Sequence, residues 1–198
     1  EGDTLAIQGG SRSVASPTWP SWPVWNPETD EELLMKVIRS GVWSRSKIVD
    51  AFEKRWAELI GAKRCLSVVN GTNALNAALA QSDIGWGDEV LVTPCTFIAS
   101  VSSILFNGAM PVFVAVDPET FQMDPEKIEA KITSNTRAIM PVHILGLPCD
   151  MEKIMAIARK HNLLVIEDAC QAWLAEINHK KVGTFGNAGC FSFQNSKN

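Results

Sequence analysis

The run MEKIMAIARKHNLLVIEDACQA, residues 151–172, decides the class of fold. Its first half sets Ile154, Ile157 and Ala158 at helical spacing, with Lys153, Arg159 and Lys160 turned outward, and predicts an amphipathic helix over 151–161. Its second half, Leu163-Leu164-Val165-Ile166, is apolar at every position. A strand of that composition is buried on both faces, and after a helix it belongs in a largely parallel sheet covered by helices. Asp168 then stands at the strand's carboxyl end, where open α/β sheets form their ligand crevice.

The same texture extends upstream. Short apolar runs at 65–69, 90–93, 111–116 and 138–144 predict further strands, and 74–80, 97–106 and 125–132 predict helices between them. Two more amphipathic helices come earlier. One starts at Pro27, groups Leu33, Leu34, Val37 and Ile38 on one face and stops at Gly41; the other groups Ile48, Phe52, Trp56, Leu59 and Ile60 and stops at Gly61. The expected fold class is therefore α/β, a mostly parallel sheet with helices on both faces in three layers. Residues 1–27, with TWPSWPVWNP at 18–27, are too rich in proline for regular helix and read as an arm ahead of a domain spanning 28–198.

Composition narrows the function. Of the 198 residues, 46% are hydrophobic and 20% charged, as in an ordinary globular chain. A net charge of -4 argues against nucleic acid or an anionic membrane as partner, and no apolar run approaches the ~20 residues of a membrane span. The five cysteines form no Cys-x-x-Cys pair and most lie in or beside apolar runs, which reads as reduced thiols of a cytoplasmic protein. The chain opens on Glu1 rather than methionine and closes one residue after Lys197, so both ends read as cut, and an export signal would lie upstream of Glu1.

Several residues carry chemistry. Asn70-Gly71-Thr72-Asn73 joins a predicted strand to a predicted helix, where glycine and first-turn amides suit a phosphate; its plainer reading is a glycine turn with Thr72 as the cap. Gly183-Thr184-Phe185-Gly186-Asn187-Ala188-Gly189 has the wrong spacing for a dinucleotide loop. A buried Asp168 needs a cationic or hydrogen-bonding partner, and a pyridinium nitrogen would serve. Glu167 points to the opposite side of the strand and is assigned no chemistry. A lone lysine is ordinarily a surface lysine. Lys197, in the loop after Cys190-Phe191-Ser192-Phe193 and downstream of Asp168 and Gln171, reads instead as an amine able to condense with an aldehyde and to move a proton. Asp168, Gln171 and Lys197 in this order can hold pyridoxal phosphate. Ser192 would add a hydroxyl for its phosphate, and Phe97 would lie over its ring. His143, Cys149, Asp150, His161 and His179 fit no metal-ligand spacing, so no metal is expected and His143 reads as a satisfied histidine beside the crevice.

Taken together, SGVWSRSKIVDAFEKRWAELIGAKRCLSVVNGTNALNAAL, GDEVLVTPCTFIAS, PVFVAVDPETFQMDPEKIEAKITSNTRAIMPVHILGLPCDM and LLVIEDACQAWLAEINHKKVGTFGNAGCFSFQNSKN resemble the DegT/DnrJ/EryC1/StrS sugar aminotransferase family over nearly all of residues 40–198. The opening LAIQGGSRSV and the FSFQNSK segment lean toward its branch acting on cyclitol ketones of the scyllo-inosose type. The resemblance implies a fold type I large domain, with its C-terminal part and the small domain absent from these residues.

It also implies a function. Gly71 and Thr72 would bind the cofactor phosphate with help from Ser192, Phe97 would stack on the ring, and Asp168 would pair with the pyridine nitrogen. Gln171 would bond the ring hydroxyl and Lys197 would carry the cofactor covalently. Lys197 and Asp168 are thus the expected catalytic residues. The reaction implied is transfer of an amino group from glutamate or glutamine to a nucleotide-linked keto-sugar or cyclitol ketone by a homodimer. A dehydratase or epimerase using the same cofactor, or a non-catalytic regulatory member of the fold, are the alternatives. Trp173 and Leu174 depart from the family's smaller or histidine residues, and the 198 residues alone are expected to be inactive.

Overall fold

The computed structural model describes residues 26–195 together with Thr4, Gly10 and Lys197. The expected arm at 1–27 falls almost wholly outside the described residues. Two compact units divide between Trp43 and Ser44. In the first, Asn26 caps a π-helical turn, Pro27–Glu31, that runs into α1, Glu32–Ser40. Gly41, at φ +66°, closes α1 in the left-handed conformation that glycine adopts without steric cost.

The second unit holds α2 (Lys47–Ile60), α3 (Gly71–Gln81), β1 (Glu89–Val92), α4 (Ala99–Phe106), β2 (Met110–Phe113), β3 (Thr136–Met140), α5 (Met151–His161), β4 (Leu164–Asp168), β5 (Glu176–Ile177), β6 (Lys180–Lys181) and β7 (Ala188–Cys190). Five of these strands form one sheet in the order β2-β1-β3-β4-β7, every pair parallel. Strand alternation splits its apolar residues into two cores. Val90, Val92, Ala138, Met140 and Ile166 pack with Leu75, Leu79 and Ile104 of α3 and α4 on one face. Leu91, Ile139 and Val165 pack with Ile154 and Ala158 of α5 on the other. This is the expected α/β architecture with helices on both faces.

Sequence periodicity misplaces three segments. The expected strand at 65–69 is unpaired and irregular, with Leu66 and Val69 largely exposed. It lines an apolar groove of about 1100 Å³ that β7 also lines, with no neighbouring backbone to complete a ladder among the described residues. Residues 125–132 form two 3-10 turns, Pro125–Lys127 and Glu129–Lys131, because only Ile128 among them is buried and a helix needs a longer apolar stripe. The antiparallel pair β5–β6 was not expected; Asn178 and His179 turn it at φ +50° and +63°.

The glycines at 183, 186 and 189 are placed by contact rather than by a ligand. A Cβ on Gly186 would overlap the Val165 carbonyl, and one on Gly189 would overlap the Gly183 backbone. Asn187 fastens the same loop to β4, accepting from Val165 N–H at 2.9 Å and donating to its carbonyl at 2.7 Å. Gly189→Ala is therefore expected to destabilise the protein by about 3 kcal/mol or more, because the obstructing atoms are main chain and cannot rotate away. Denaturant titration of the purified variant would read this as a lowered midpoint at unchanged slope.

Candidate cofactor site

The carboxyl ends of β4 and β7 and the amino end of α3 meet at one place. Asp168 ends β4 and is 6% exposed. Its Oδ2 accepts from Ser100 Oγ at 2.6 Å, and its Oδ1 accepts from Cys170 N–H at 3.1 Å. Thr96 Oγ1 lies 2.7 Å from Ser100 Oγ. Because the single Ser100 proton goes to Asp168, Thr96 must be the donor of that pair, and the hydroxyls form a chain ending on the carboxylate. No lysine, arginine or histidine forms an ion pair with Asp168 among the described residues. A buried carboxylate with neutral donors alone retains its full attraction for a cation.

Gly71 opens α3, and a Cβ there would lie 2.7 Å from Cys170 Sγ and 2.9 Å from Ser192 Cβ. Only glycine lets the helix start come this close to the ends of both strands. Asn70, not Thr72, is the cap, accepting from Asn73 N–H at 2.9 Å. Within the helix the Gly71 and Thr72 amides have no carbonyl four residues back, which leaves the first turn as a cradle for an anion. Ser192, buried beside Gly71, accepts from Gln194 N–H at 3.4 Å through its hydroxyl.

Lys197 and Phe97 come together: Lys197 Nζ lies 5.9 Å from the centre of the Phe97 ring. Phe97 is exposed and precedes α4, which starts at Ala99 rather than at the expected residue 97. Lys197 N–H donates to the Gln194 carbonyl at 2.9 Å, which turns the chain just before the amine. Gln171, three residues after Asp168, accepts from Leu145 N–H at 3.0 Å through Oε1.

Sequence reading missed several supports of this site. Ser100 and Thr96 look like ordinary helix and loop hydroxyls, and nothing local signals a partner 68 residues away. Trp173 donates from Nε1 to the Ser192 carbonyl at 2.9 Å and packs on Phe193 and Trp56, with ring centres 4.6 and 6.1 Å away. These aromatics brace the segment that leads to Lys197. His143 is fully buried and hydrogen-bonded on both ring nitrogens, to Cys149 N–H and to Glu167. Among the described residues no three histidine, cysteine or acidic side chains form a metal-ligand group.

All five cysteines are free. Burial pushes the Cys149 and Cys190 thiols up to about 12, with nearby acids adding to the shift. Cys170 is also pushed up, first by burial and then by the Asp168 charge, while Lys197 pulls the other way. At pH 8 the raised thiols hold little thiolate, the reactive form. Iodoacetamide is accordingly expected to spare Cys149 and Cys190 in the folded protein and to label both after unfolding, as peptide mass mapping would show.

The sequence profile of the DegT/DnrJ/EryC1/StrS aminotransferase family matches residues 26–198. The chain is 49% identical over 163 residues to the dTDP-3-amino-3,6-dideoxy-alpha-D-galactopyranose transaminase of Aneurinibacillus thermoaerophilus, covering 82% of this chain and 45% of that one. It is 39% identical over 195 residues to the provisionally named L-glutamine:3-amino-2,3-dideoxy-scyllo-inosose aminotransferase of Streptoalloteichus tenebrarius, covering 98% of this chain and 47% of that one. The solved structure of NtdA from Bacillus subtilis with bound cofactor PMP superposes with a TM-score of 0.82 at 32% identity, over 88% of this chain and 40% of that one. The chain thus spans less than half the length of these relatives.

Proposed function

Because the chain belongs to the DegT/DnrJ/EryC1/StrS aminotransferase family, we propose that it builds the cofactor-binding part of a pyridoxal phosphate-dependent transaminase. The observation that carries this reading is the buried Asp168 carboxylate, which accepts from neutral donors alone among the described residues and stands beside the Gly71–Ser192 cradle. A cationic ring nitrogen tethered to a phosphate matches that donor set at both ends. The relative solved with bound PMP supports it.

When bound, the cofactor supplies an aldehyde to take up the amino group and a ring that accepts the electrons released at the substrate's Cα–H bond. The chain's own residues do the rest. Asp168 would hold a proton at the ring nitrogen, and the Thr96–Ser100 hydroxyl chain aims its carboxylate. Gly71 and Thr72 bind the phosphate through first-turn amides and the Thr72 hydroxyl, with the Ser192 hydroxyl completing the cradle. Phe97 covers the ring face. Gln171, whose Oε1 accepts from Leu145 N–H, would bond the ring hydroxyl. Lys197 would hold the cofactor through Nζ and, once the amino donor has displaced it, the freed amine would move the substrate-carbon proton.

The acceptor in this reading is a ketone on a nucleotide-linked sugar or a cyclitol, and glutamate or glutamine gives the amine; the names of the two curated relatives support both acceptor classes. The reading extends to a homodimer acting in the cytoplasm, in keeping with five free cysteines and no described helix long and apolar enough to cross a membrane. The test is nitrogen balance in the full-length protein. With ¹⁵N-labelled glutamate or glutamine, label should enter the sugar or cyclitol product. Loss of water or inversion of a centre without label would assign a dehydratase or epimerase instead.

A further inference from the structure

We propose that Glu167 is a positioning residue for this reaction: its buried carboxylate clamps the loop at 183–186, and so sets the strand that delivers Ser192 and Lys197 to Asp168. The inference rests on the transaminase reading above. Glu167 is fully buried and faces away from the cofactor side of β4. Its Oε1 accepts from Phe185 and Gly186 N–H, each at 2.7 Å, and its Oε2 accepts from Gly183 N–H at 2.6 Å. The fourth partner is His143 Nε2, 3.1 Å from Oε2.

The imidazole is neutral. Cys149 N–H can only donate, at 3.1 Å, so His143 Nδ1 must accept and the ring proton sits on Nε2, directed at Glu167. The pair is therefore a hydrogen bond to a carboxylate and not an ion pair. With no lysine or arginine paired to it among the described residues, the buried carboxylate is held by main-chain amides of a single loop and by one ring, so the loop cannot leave without exposing or orphaning it. The same histidine is tied to the site's backbone, since its N–H donates to the Asp168 carbonyl at 3.0 Å.

The clamped loop feeds β7, whose register against β4 pairs Glu167 with Gly189 and Asp168 with Cys190. A slip of one residue would turn every following side chain to the wrong face, Ser192 included, and move Lys197 off the cofactor. A strand of only three residues has little pairing of its own to prevent that slip. Glu167 supplies the restraint from the side opposite the chemistry.

Two variants of the full-length protein test this. In Glu167→Gln an amide NH₂ must meet either Gly183 N–H and His143 Nε2–H or the Phe185 and Gly186 amides, donor against donor. His143→Asn leaves the three loop amides in place and guards against a first variant that fails to fold. In the cofactor-free protein, hydrogen exchange of peptides covering 182–197 should quicken in Glu167→Gln, with peptides of β1 and β3 unchanged. With cofactor, kcat should fall about 10- to 100-fold at nearly constant KM, as a small misplacement of a reacting group causes. His143→Asn should show the same pattern more weakly. Exchange at 182–197 matching wild type, or quickened equally across the whole sheet, would overturn the clamp, as would a loss confined to KM. Wild-type protein that takes up no cofactor would sink the transaminase reading, while the exchange comparison would still decide the clamp.

Discussion

Lys197→Ala in the full-length protein is expected to lose transamination by on the order of 10⁴-fold while still taking up cofactor noncovalently. The amine does two jobs that no neighbour can assume. Lys180 is held over the Phe185 ring, 4.5 Å from its centre, and Lys181 pairs with Glu176 at 2.7 Å, both on the β5–β6 hairpin. Borohydride treatment of the wild-type protein should therefore fix the cofactor on the peptide containing Lys197, and no fixed product should appear in the variant. A small added amine should restore part of the rate, since the missing group is a base and nucleophile rather than a packing element. Label found on Lys180 or Lys181 would overturn the assignment.

Asp168→Asn should keep the cofactor and cut turnover on the order of 10²- to 10³-fold, about 3–4 kcal/mol. The substitution preserves volume, and the amide oxygen can still accept from Cys170 N–H. Ser100 can turn its proton toward Thr96 and accept from the new NH₂. What disappears is the negative charge that makes a protonated ring nitrogen favourable. The fold should survive, as thermal unfolding would show, so that lost rate reports electrostatics alone. Wild-type turnover would reduce Asp168 to a cap for the 169–172 turn.

Much of the fold could be read from residue order because its central strands β1, β3 and β4 are buried on both faces. Leu91, Ile139 and Val165 must be apolar on one side, and Val90, Met140 and Ile166 on the other, so each run announces itself without a partner. Where pairing decides, sequence is silent: residues 65–69 are as apolar as a strand, yet no ladder forms beside them among the described residues. The candidate site divides the same way. Asp168 and Lys197 carry their chemistry in their own side chains and their order. Ser100 and Thr96 matter only because α4 happens to begin beside the end of β4. Alternation correctly sent Glu167 to the far side, but the amides it meets there belong to a loop with no side-chain signature beyond its glycines.

Glu167 and Asp168 sit one peptide apart and face opposite ways, and β4 therefore works as a parity code. A change of one side chain disables one of its two functions. Loss or gain of a single codon within 164–168 would exchange them, pointing the clamp's carboxylate at the cofactor side and the ring's partner at the loop. The gene should thus accept many substitutions in this strand's apolar positions at modest loss, yet almost no in-frame insertion or deletion, and length rather than composition is the quantity held under strictest selection there.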